Sequence, residues 1–186
     1  MRFENKTAVV TGGSRGIGLA IATKLAKEGA NIAILYVGDE NEGIKAKEEL
    51  SQYGTKVEQY FCDVSNFEES KKVVDKVIEE FGSIEILVNN AGTADIELFT
   101  DMTDEKLCEM MNVNLLGAMR MSRAVLPEMI REHSGNVISI TSVWGEKGAS
   151  CEVAYSSAKA GLIGFTKALA REVAISGIRV NCVSCG

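Results

Sequence analysis

Short apolar runs alternate with amphipathic stretches along the chain. The apolar runs have the length of buried β-strands, and six are predicted: Thr7 to Thr11, Asn31 to Val37, Lys56 to Phe61, Ile84 to Val88, Val137 to Ile140 and Ile178 to Val183. Ile17, Ile21 and Leu25 then recur at helical spacing. The same spacing predicts further helices at Asn41 to Tyr53, Val74 to Phe81, Thr103 to Glu132 and Ala158 to Val173. Because Pro127 lies inside the region from Thr103 to Glu132, we expect that region to be bent.

This alternation predicts an α/β fold. Apolar strands that each lead into a helix favour a parallel sheet covered by helices on both faces. Right-handed crossovers then give a doubly wound parallel sheet, the dinucleotide-binding or Rossmann arrangement. The sequence contains no internal linker, repeat or low-complexity tract, so we predict a single domain over residues 1–186.

The composition narrows the possible partners. The chain has 186 residues, 46% of them hydrophobic, and a formal net charge of −6, without a long basic run. These values favour a folded domain and argue against binding to nucleic acid or to a membrane surface. The first ten residues contain no apolar signal core, and no apolar stretch is long enough to span a bilayer. We therefore predict a cytoplasmic protein.

The five cysteines do not form a recognisable disulfide or metal-binding pattern. Their odd number and scattered positions are unlike the disulfide pattern of secreted proteins. Cys182 and Cys185 form a C-x-x-C, but it ends a strand-like run, whereas redox motifs of this kind normally open a helix. A zinc site would need further ligands, and His133 is the only histidine. We interpret the pair as two small residues near a strand end and predict no metal site.

A glycine-rich turn follows the first predicted strand. It reads Thr11-Gly12-Gly13-Ser14-Arg15-Gly16-Ile17-Gly18. Glycines allow the backbone to approach a pyrophosphate, and the N-terminus of the next helix offers N–H donors and a positive dipole end. A tight turn between strand and helix, without any ligand, is the alternative interpretation.

Tyr155 and Lys159 form a Y-x-x-x-K and share one helix face. A free tyrosine has a pKa near ~10, which is too high for ready proton exchange at neutral pH. A nearby ammonium favours the phenolate, so we expect Lys159 to lower the pKa of Tyr155. Tyr155 would then act as a general acid or base. A solvated surface pair is the alternative.

Taken together, the motifs resemble the short-chain dehydrogenase/reductase family. The turn has the family's T-G-x-x-x-G-x-G spacing, Asn89-Asn90-Ala91-Gly92 follows the fourth strand, and Ser142 stands thirteen residues before Tyr155. The resemblance implies an oxidoreductase that transfers a hydride between a nicotinamide cofactor and a carbonyl or alcohol, without a metal. It also implies the catalytic residues Asn114, Ser142, Tyr155 and Lys159.

Each catalytic residue has an implied role. Tyr155 delivers the proton, Ser142 hydrogen-bonds the substrate carbonyl, and Asn114 holds a water that relays protons towards Lys159, which also reaches the nicotinamide ribose. Asn112 competes with Asn114 for its role. Ser139 and Thr141 are weaker rivals of Ser142, and we expect Ser139 to point into the sheet or its packing layers.

The resemblance also implies the cofactor site. Its residues are Gly12, Ser14, Arg15, Gly16, Ile17, Gly18, Tyr36, Asp63, Val64, Asn90, Ala91 and Gly92, together with Tyr155 and Lys159. A carboxylate at the end of the second strand would bind the ribose of NAD, but that position holds Tyr36. Arg15 can pair with a phosphate, so we predict NADP(H). Asp39 and Glu40, which follow closely, argue in the other direction.

The chain departs from the family near Gly186. Family members usually carry a Pro-Gly pair after the sixth strand, then a helical lid over the substrate and a final strand that often supports a homo-oligomer. Cys185 stands where the proline is expected. We expect the final strand and the lid to be missing, which leaves a truncated piece and a natural short form as alternatives.

Within the family, the chain is most similar to bacterial 3-oxoacyl-[acyl-carrier-protein] reductases. The acidic carrier protein would dock on basic residues such as Arg120, Arg123, Arg131 and Lys167. One alternative is a reductase of 5-aminopentanone-modified elongation factor P, suggested by the loop around Trp144 and by Glu152, which could face a cationic amine. Another is an inactive fragment that only binds the nucleotide.

Overall fold

A single parallel sheet forms the centre of the molecule. The computed structural model describes residues 1–186. The strands are β1 (Thr7–Thr11), β2 (Asn31–Tyr36), β3 (Val57–Phe61), β4 (Ile86–Asn89), β5 (Gly135–Ser142) and β6 (Ile178–Cys185). They pair in parallel in the order β3-β2-β1-β4-β5-β6. This is the doubly wound order, with the switch of direction between β1 and β4, where such sheets bind their ligands.

Helices connect the strands and cover both faces of the sheet. They are α1 (Gly16–Lys27), α2 (Glu40–Ser51), α3 (Phe67–Phe81), α4 (Asp104–Met111), α5 (Ala118–Arg131), the short α6 (Trp144–Lys147) and α7 (Val153–Val173). A π-helical segment, Asn112–Gly117, joins α4 to α5, and a 3-10 turn, Ala174–Ser176, follows α7. None of these helices is both long enough and apolar enough to cross a lipid bilayer.

Successive strand residues face opposite layers. Val9 packs into a cluster with α3, α5 and α7, where Val74, Val125 and Leu169 lie. Its neighbours Ala8 and Val10 pack into a second cluster with α1 and α2. Because helices cover both faces of the central strands β1, β2 and β4, these strands are buried along almost their whole length and stand in the sequence as apolar runs. The edge strands β3 and β6 include exposed residues.

The predicted elements are present with shifted ends. β5 extends on both sides of the predicted Val137 to Ile140, since it pairs along its full length with β6. The residues at its ends are polar, so hydrophobicity could not reveal them. β4 begins at Ile86, not Ile84. The irregularity in the long helical region is the π-helical segment, while Pro127 lies inside α5, which continues to Arg131.

Candidate active site

The glycine-rich turn is shaped by backbone conformations that side chains disfavour. Gly12 and Gly16 have φ angles of 61° and 54°, in the left-handed region. A Cβ atom on Gly18 would lie 2.1 Å from the carbonyl oxygen of Gly12, so only glycine fits there. A Cβ atom on Gly16 would have no other heavy atom within 4 Å. The turn therefore packs tightly at Gly18 and stays open at Gly16, where α1 begins.

Asn90 ties the turn to the end of β4. Its Nδ2 donates to the carbonyl oxygens of Thr11 at 3.0 Å and Gly12 at 3.1 Å. The backbone N–H groups of Asn90 and Ala91 both donate to Thr11 Oγ1 at 2.9 Å. These bonds hold the carboxyl ends of β1 and β4 together at the switch point. Asn90 therefore has a structural role in addition to lining the cleft.

A cleft of about 660 Å³ opens above this switch point. It is lined by most of the predicted cofactor residues: Gly12, Ser14, Arg15, Tyr36, Asp63, Val64, Asn90, Ala91 and Gly92. Of the other predicted residues, Gly18 is buried beneath the turn and Ile17 lines a neighbouring cavity. Thr93 and Val113 also line the cleft. Sequence motifs missed these two because their side chains carry no distinctive chemistry.

Tyr36 stands at the end of β2, as predicted, but its ring is buried beneath α2. Only 5% of the residue is exposed, and the ring meets Phe61 edge-on at a centroid distance of 6.0 Å. Burial raises the pKa of the Tyr36 hydroxyl, and the nearby carboxylates of Glu40 and Asp39 raise it further. Acidic groups therefore lie close to this end of the cleft.

Arg15 is the cation of the cleft. Its Nη1 lies 3.4 Å from Oε1 of Glu42 on α2, and 78% of its side chain is exposed. The Asp39 carboxylate instead accepts a hydrogen bond from the backbone N–H of Asn41 at 2.9 Å and caps α2. The guanidinium is thus solvated and only loosely held, which leaves it free to turn towards a ligand.

A second cavity, of about 210 Å³, adjoins the cleft. All four predicted catalytic residues line it: Asn114, Ser142, Tyr155 and Lys159. Asn90, Gly92 and Thr93 line both spaces, so the two are continuous. Residues far apart in the sequence meet here because β4, β5 and β6 end at the same edge of the sheet. We call this space the carbonyl cavity.

Lys159 is buried in the wall of the carbonyl cavity. Only 4% of it is exposed, and its Nζ donates to the carbonyl oxygen of Ile140 at 2.9 Å. Burial lowers the pKa of Lys159 to about 8, although a charge on the Cys185 sulfur acts in the opposite direction. The Nζ lies 5.5 Å from the centre of the Tyr155 ring. The pair shares one face of α7, so it is not a solvated surface pair.

The pKa of Tyr155 is raised in this structure, whereas the spacing led us to expect that Lys159 lowers it. Burial raises the pKa of Tyr155, the Ser142 hydroxyl lowers it, and Glu152 and Cys185 raise it again. Removal of the phenol from water is therefore the largest influence on this pKa, and the Lys159 ammonium is not among the groups that shift it. Spacing in the sequence reveals which groups are neighbours but not how far water is excluded from them.

Ser142 ends β5 beside the tyrosine. Its Oγ accepts a hydrogen bond from the backbone N–H of Trp144 at 3.2 Å, which leaves the hydroxyl proton for another acceptor. Ser139 is fully buried in the packing layer, as predicted, and the Thr141 hydroxyl donates to the Lys159 carbonyl at 3.3 Å. Of the three hydroxyl groups, the one on Ser142 is therefore placed to meet a substrate.

Asn114 lies in the π-helical segment and is 1% exposed. Its Nδ2 donates to the carbonyl oxygens of Thr93 at 2.8 Å and Met110 at 3.0 Å. Its Oδ1 is buried without a partner. A Cβ on Gly92 would lie 2.6 Å from this oxygen and 3.6 Å from Lys159 Nζ, so the glycine leaves space between the two groups.

This arrangement decides between the two asparagines. Asn112 faces Arg120, whose Nη1 and Nη2 donate to its Oδ1 at 3.4 Å. Asn114 lines the carbonyl cavity and Asn112 does not. An unpaired buried acceptor costs free energy unless a ligand or a water satisfies it. The position of Asn114 Oδ1 therefore fits a bound water next to Lys159.

Comparison with known proteins agrees with this geometry. The family model described as short chain dehydrogenase matches residues 6–186. The chain belongs to the short-chain dehydrogenase/reductase family. Its relatives include 3-oxoacyl-[acyl-carrier-protein] reductase FabG of Staphylococcus epidermidis, which is 39% identical over 182 residues, covering 98% of this chain and 75% of the relative. FabG of Chlamydia muridarum is 40% identical over 183 residues, covering 98% and 73%.

Solved structures of the family superimpose closely. A structure of NAD⁺-bound xylitol dehydrogenase matches with a TM-score of 0.96 and 33% identity, covering 99% of this chain and 71% of that one. A metagenomic short-chain oxidoreductase in complex with NADP matches with a TM-score of 0.95 and 31% identity, covering 100% and 84%. The chain is thus an oxidoreductase of a family that binds nicotinamide cofactors.

The residues present fit such a cofactor. The left-handed glycines and the helix start of the turn suit a pyrophosphate, and the cleft continues into the carbonyl cavity, where a nicotinamide would meet Tyr155 and Lys159. Asn114 Oδ1 supplies a buried acceptor at the inner end. No group of three His, Cys, Asp or Glu side chains that could hold a metal ion is found in the chain.

The expected docking cations lie away from the carbonyl cavity. The guanidinium of Arg123 stacks on Phe67 of α3 at 4.5 Å, and Arg120 contacts Asn112. Arg131 pairs with both Glu128 and Glu132. Only Lys167, exposed on α7, forms no such contact. Three of the four cations are thus engaged within the protein. The contact of Arg123 with Phe67 joins two helices, and no local pattern in the sequence could reveal it.

Proposed function

We propose that the chain is an NADPH-dependent reductase of 3-oxoacyl groups carried by acyl carrier protein. The observation that carries the proposal is the meeting of Asn114, Ser142, Tyr155 and Lys159 around one cavity that is continuous with the nucleotide cleft. Identity of about 39% to FabG reductases over most of the chain supports this substrate class.

The side chains divide the chemistry among them. The cleft and the carbonyl cavity would hold a nicotinamide cofactor, which when bound would provide hydride chemistry at the carbonyl carbon. The Ser142 hydroxyl donates a hydrogen bond to the carbonyl oxygen and stabilises the negative charge that develops there. The Tyr155 hydroxyl, whose pKa is raised by burial, stays protonated at neutral pH and donates its proton to that oxygen. Lys159 and Asn114 hold the water from which Tyr155 recovers a proton.

Two features support NADPH over NADH. No carboxylate occupies the strand end at Tyr36, and Arg15 is exposed at the mouth of the cleft, where it can reach a phosphate. The Asp39 carboxylate, which could compete for the ribose, is engaged in capping α2. Glu42 opposes the preference because it already pairs with Arg15.

A second candidate substrate is an aminoketone, as in 5-aminopentanone-modified elongation factor P. The specific observation is that Glu152 is the N-cap residue of α7, three residues before Tyr155, and that its carboxylate contributes to the raised pKa of Tyr155. The backbone N–H of Glu97 donates to the Cys151 carbonyl at 3.0 Å, which brings a second carboxylate-bearing loop beside it. A cationic amine on the substrate would be attracted to this side of the cavity.

A substrate comparison tests the proposal. NADPH consumption is followed by absorbance with a 3-oxoacyl group on acyl carrier protein and with a short aminoketone, using the unmodified chain, Glu152→Gln and Tyr155→Phe. Faster turnover of the carrier-bound substrate, lost in Tyr155→Phe and little changed in Glu152→Gln, supports the proposal.

Other outcomes assign other functions. Faster turnover of the aminoketone that falls selectively in Glu152→Gln would favour the second candidate. NADPH binding without turnover of either substrate would mark the chain as an inactive nucleotide-binding protein. NADH consumed as readily as NADPH would overturn the cofactor assignment alone.

A further inference from the structure

A thiol lies inside the carbonyl cavity. Cys185 ends β6 directly beside Ser142 of β5, and its carbonyl oxygen accepts a hydrogen bond from the backbone N–H of Val143 at 2.9 Å. The half-buried residue lines the same cavity as Tyr155 and Lys159.

A second observation shows that this cavity is built to hold a ligand. Asn114 Oδ1 is buried without a partner, and the open space beside Gly92 lies between this oxygen and Lys159 Nζ. A polar molecule in the cavity would satisfy the acceptor. Cys185 lines the same cavity as Asn114 and Lys159, so a molecule held there shares this space with it.

Of the other four cysteines, three have clearly different surroundings, and Cys151 lies in the turn before α7. Cys62 is 2% exposed, and burial raises the pKa of its thiol to about 11, which keeps it unreactive. Cys108 is exposed on α4, where its thiol contacts Asp104 at 3.8 Å. Cys182 stands three residues before Cys185 and therefore points to the opposite face of β6. Among the cysteines, Cys185 alone lines the carbonyl cavity.

We propose that Cys185 is a site of reversible S-thiolation by low-molecular-weight disulfides, and that the adduct closes the carbonyl cavity. The Cys185 thiolate attacks one sulfur of the disulfide, a protein–small-molecule disulfide forms, the original S–S bond breaks, and the departing thiolate takes up the proton that Cys185 lost. The disulfide is the oxidant, so no other reactant is needed. A thiol reverses the step by the same exchange.

Blockage follows from the size of the site. The cavity measures about 210 Å³, and Tyr155, Ser142 and Lys159 share it with the sulfur. A substituent on Cys185 would occupy the space that a carbonyl group needs next to Ser142. This second half of the proposal rests on the proposed reductase function, whereas modification of the thiol does not.

The test uses glutathione disulfide as the probe. Residue-resolved mass spectrometry follows modification with time in the unmodified chain, Cys185→Ser and Cys108→Ser, each with and without NADPH. We expect Cys185 to react about tenfold faster than buried Cys62 because access governs the exchange rate. NADPH should slow the reaction at Cys185 and leave the reaction at Cys108 unchanged. Modified protein should lose carbonyl turnover and regain it with dithiothreitol, and Cys185→Ser should resist the inhibition.

Three results would overturn the inference. Cys185 could react no faster than Cys62, NADPH could fail to protect it, or Cys185→Ser could be inhibited as strongly as the unmodified chain. The labelling and protection measurements need no turnover, so they remain decisive even if the proposed reductase activity is absent. Circular dichroism of the modified protein separates a blocked cavity from an unfolded chain, and unfolding on modification would also count against the proposal.

Discussion

The nucleotide cleft and the carbonyl cavity adjoin each other but are built by different means. The cleft depends on backbone shape: left-handed Gly12 and Gly16, a close approach at Gly18, and the Asn90 amide bonded to main-chain carbonyls. The carbonyl cavity depends on buried side chains, one of which, Asn114, keeps an acceptor without a partner. We therefore expect substitutions that add atoms at the glycines to disrupt the cleft. Substitutions that remove side-chain groups should disrupt the carbonyl cavity.

Electrostatics separate the two regions as well. Arg15 in the cleft is largely solvated, and its contact with Glu42 is long, so water screens its charge. Lys159 in the cavity is almost fully buried, and its pKa falls to about 8. Charges in a dry site interact more strongly than charges in water. We therefore expect changes at the cavity to have larger effects than changes of charge at the cleft.

Tyr155→Phe should give the largest effect. The substitution removes only the hydroxyl that delivers the proton, so carbonyl turnover should fall by about 10²–10⁴-fold, the usual contribution of a positioned acid. NADPH affinity should stay nearly the same because the ring remains. Steady-state kinetics and a cofactor titration measure both quantities. Substantial turnover by this variant would show that another group is the acid.

Gly18→Ala should disrupt the glycine-rich turn of the cleft. Its added methyl would overlap the Gly12 carbonyl oxygen, so the free energy of unfolding should fall by about 2–3 kcal/mol, and NADPH binding should weaken with the distorted turn. Urea denaturation and cofactor titration measure the change.

Gly164→Ala is the matched control for this experiment. Gly164 lies in α7 with nothing within 4 Å of an added Cβ. The same substitution should there raise the stability by about 0.5–1 kcal/mol, because alanine is the better helix former. Equal effects at the two glycines would contradict the steric account of the turn.

Lys159→Met should stabilise the protein in a pH-dependent way. The pKa of this lysine is about 8 in the folded protein and 10.5 in the unfolded chain. Below pH 8 both states carry the charge, and the full cost of burying it opposes folding. Between pH 8 and 10.5 the unfolded chain binds more protons, so the unmodified protein gains stability as the pH rises.

The free energy of unfolding of Lys159→Met should therefore rise by about 2 kcal/mol at pH 7, once the loss of the hydrogen bond to Ile140 is subtracted. This gain should vanish as the pH approaches 10.5. Denaturation at several pH values measures it. Lys167→Met, on the exposed side of α7, is the control and should change stability little. A gain that persists above pH 10.5 would point to packing and not to charge.

Removing the charge of Arg15 at the cleft should have the smallest effect of these substitutions. Arg15→Ala should weaken NADPH binding about tenfold, or about 1.4 kcal/mol, and leave NADH binding unchanged. Glu42→Gln should strengthen NADPH binding because it frees the guanidinium from its partner. Titrations with both cofactors measure the difference. Equal changes for NADPH and NADH would show that Arg15 does not contact the phosphate that distinguishes them.

The sequence predicted the motifs more reliably than their surroundings. The turn, Asn114, Ser142 and the Tyr155–Lys159 pair lie at the predicted places, because each motif is local and its spacing is set by one turn, strand end or helix. The raised pKa of Tyr155 and the buried ring of Tyr36 were not predicted. Both depend on how much water neighbouring elements exclude, and no local pattern records that.

By itself, the sequence determined the alternation of strands and helices, the glycine turn and the positions of the candidate catalytic side chains. These follow from apolar periodicity, from backbone conformations that favour glycine, and from spacing within single elements. Only the tertiary structure decided that Asn114, and not Asn112, faces the cavity, that Lys159 loses its water, and that Cys185 stands beside Ser142. Each of these depends on contacts between elements that are far apart in the chain. Those contacts determine how deeply each group is buried, and burial in turn sets its pKa and its reactivity.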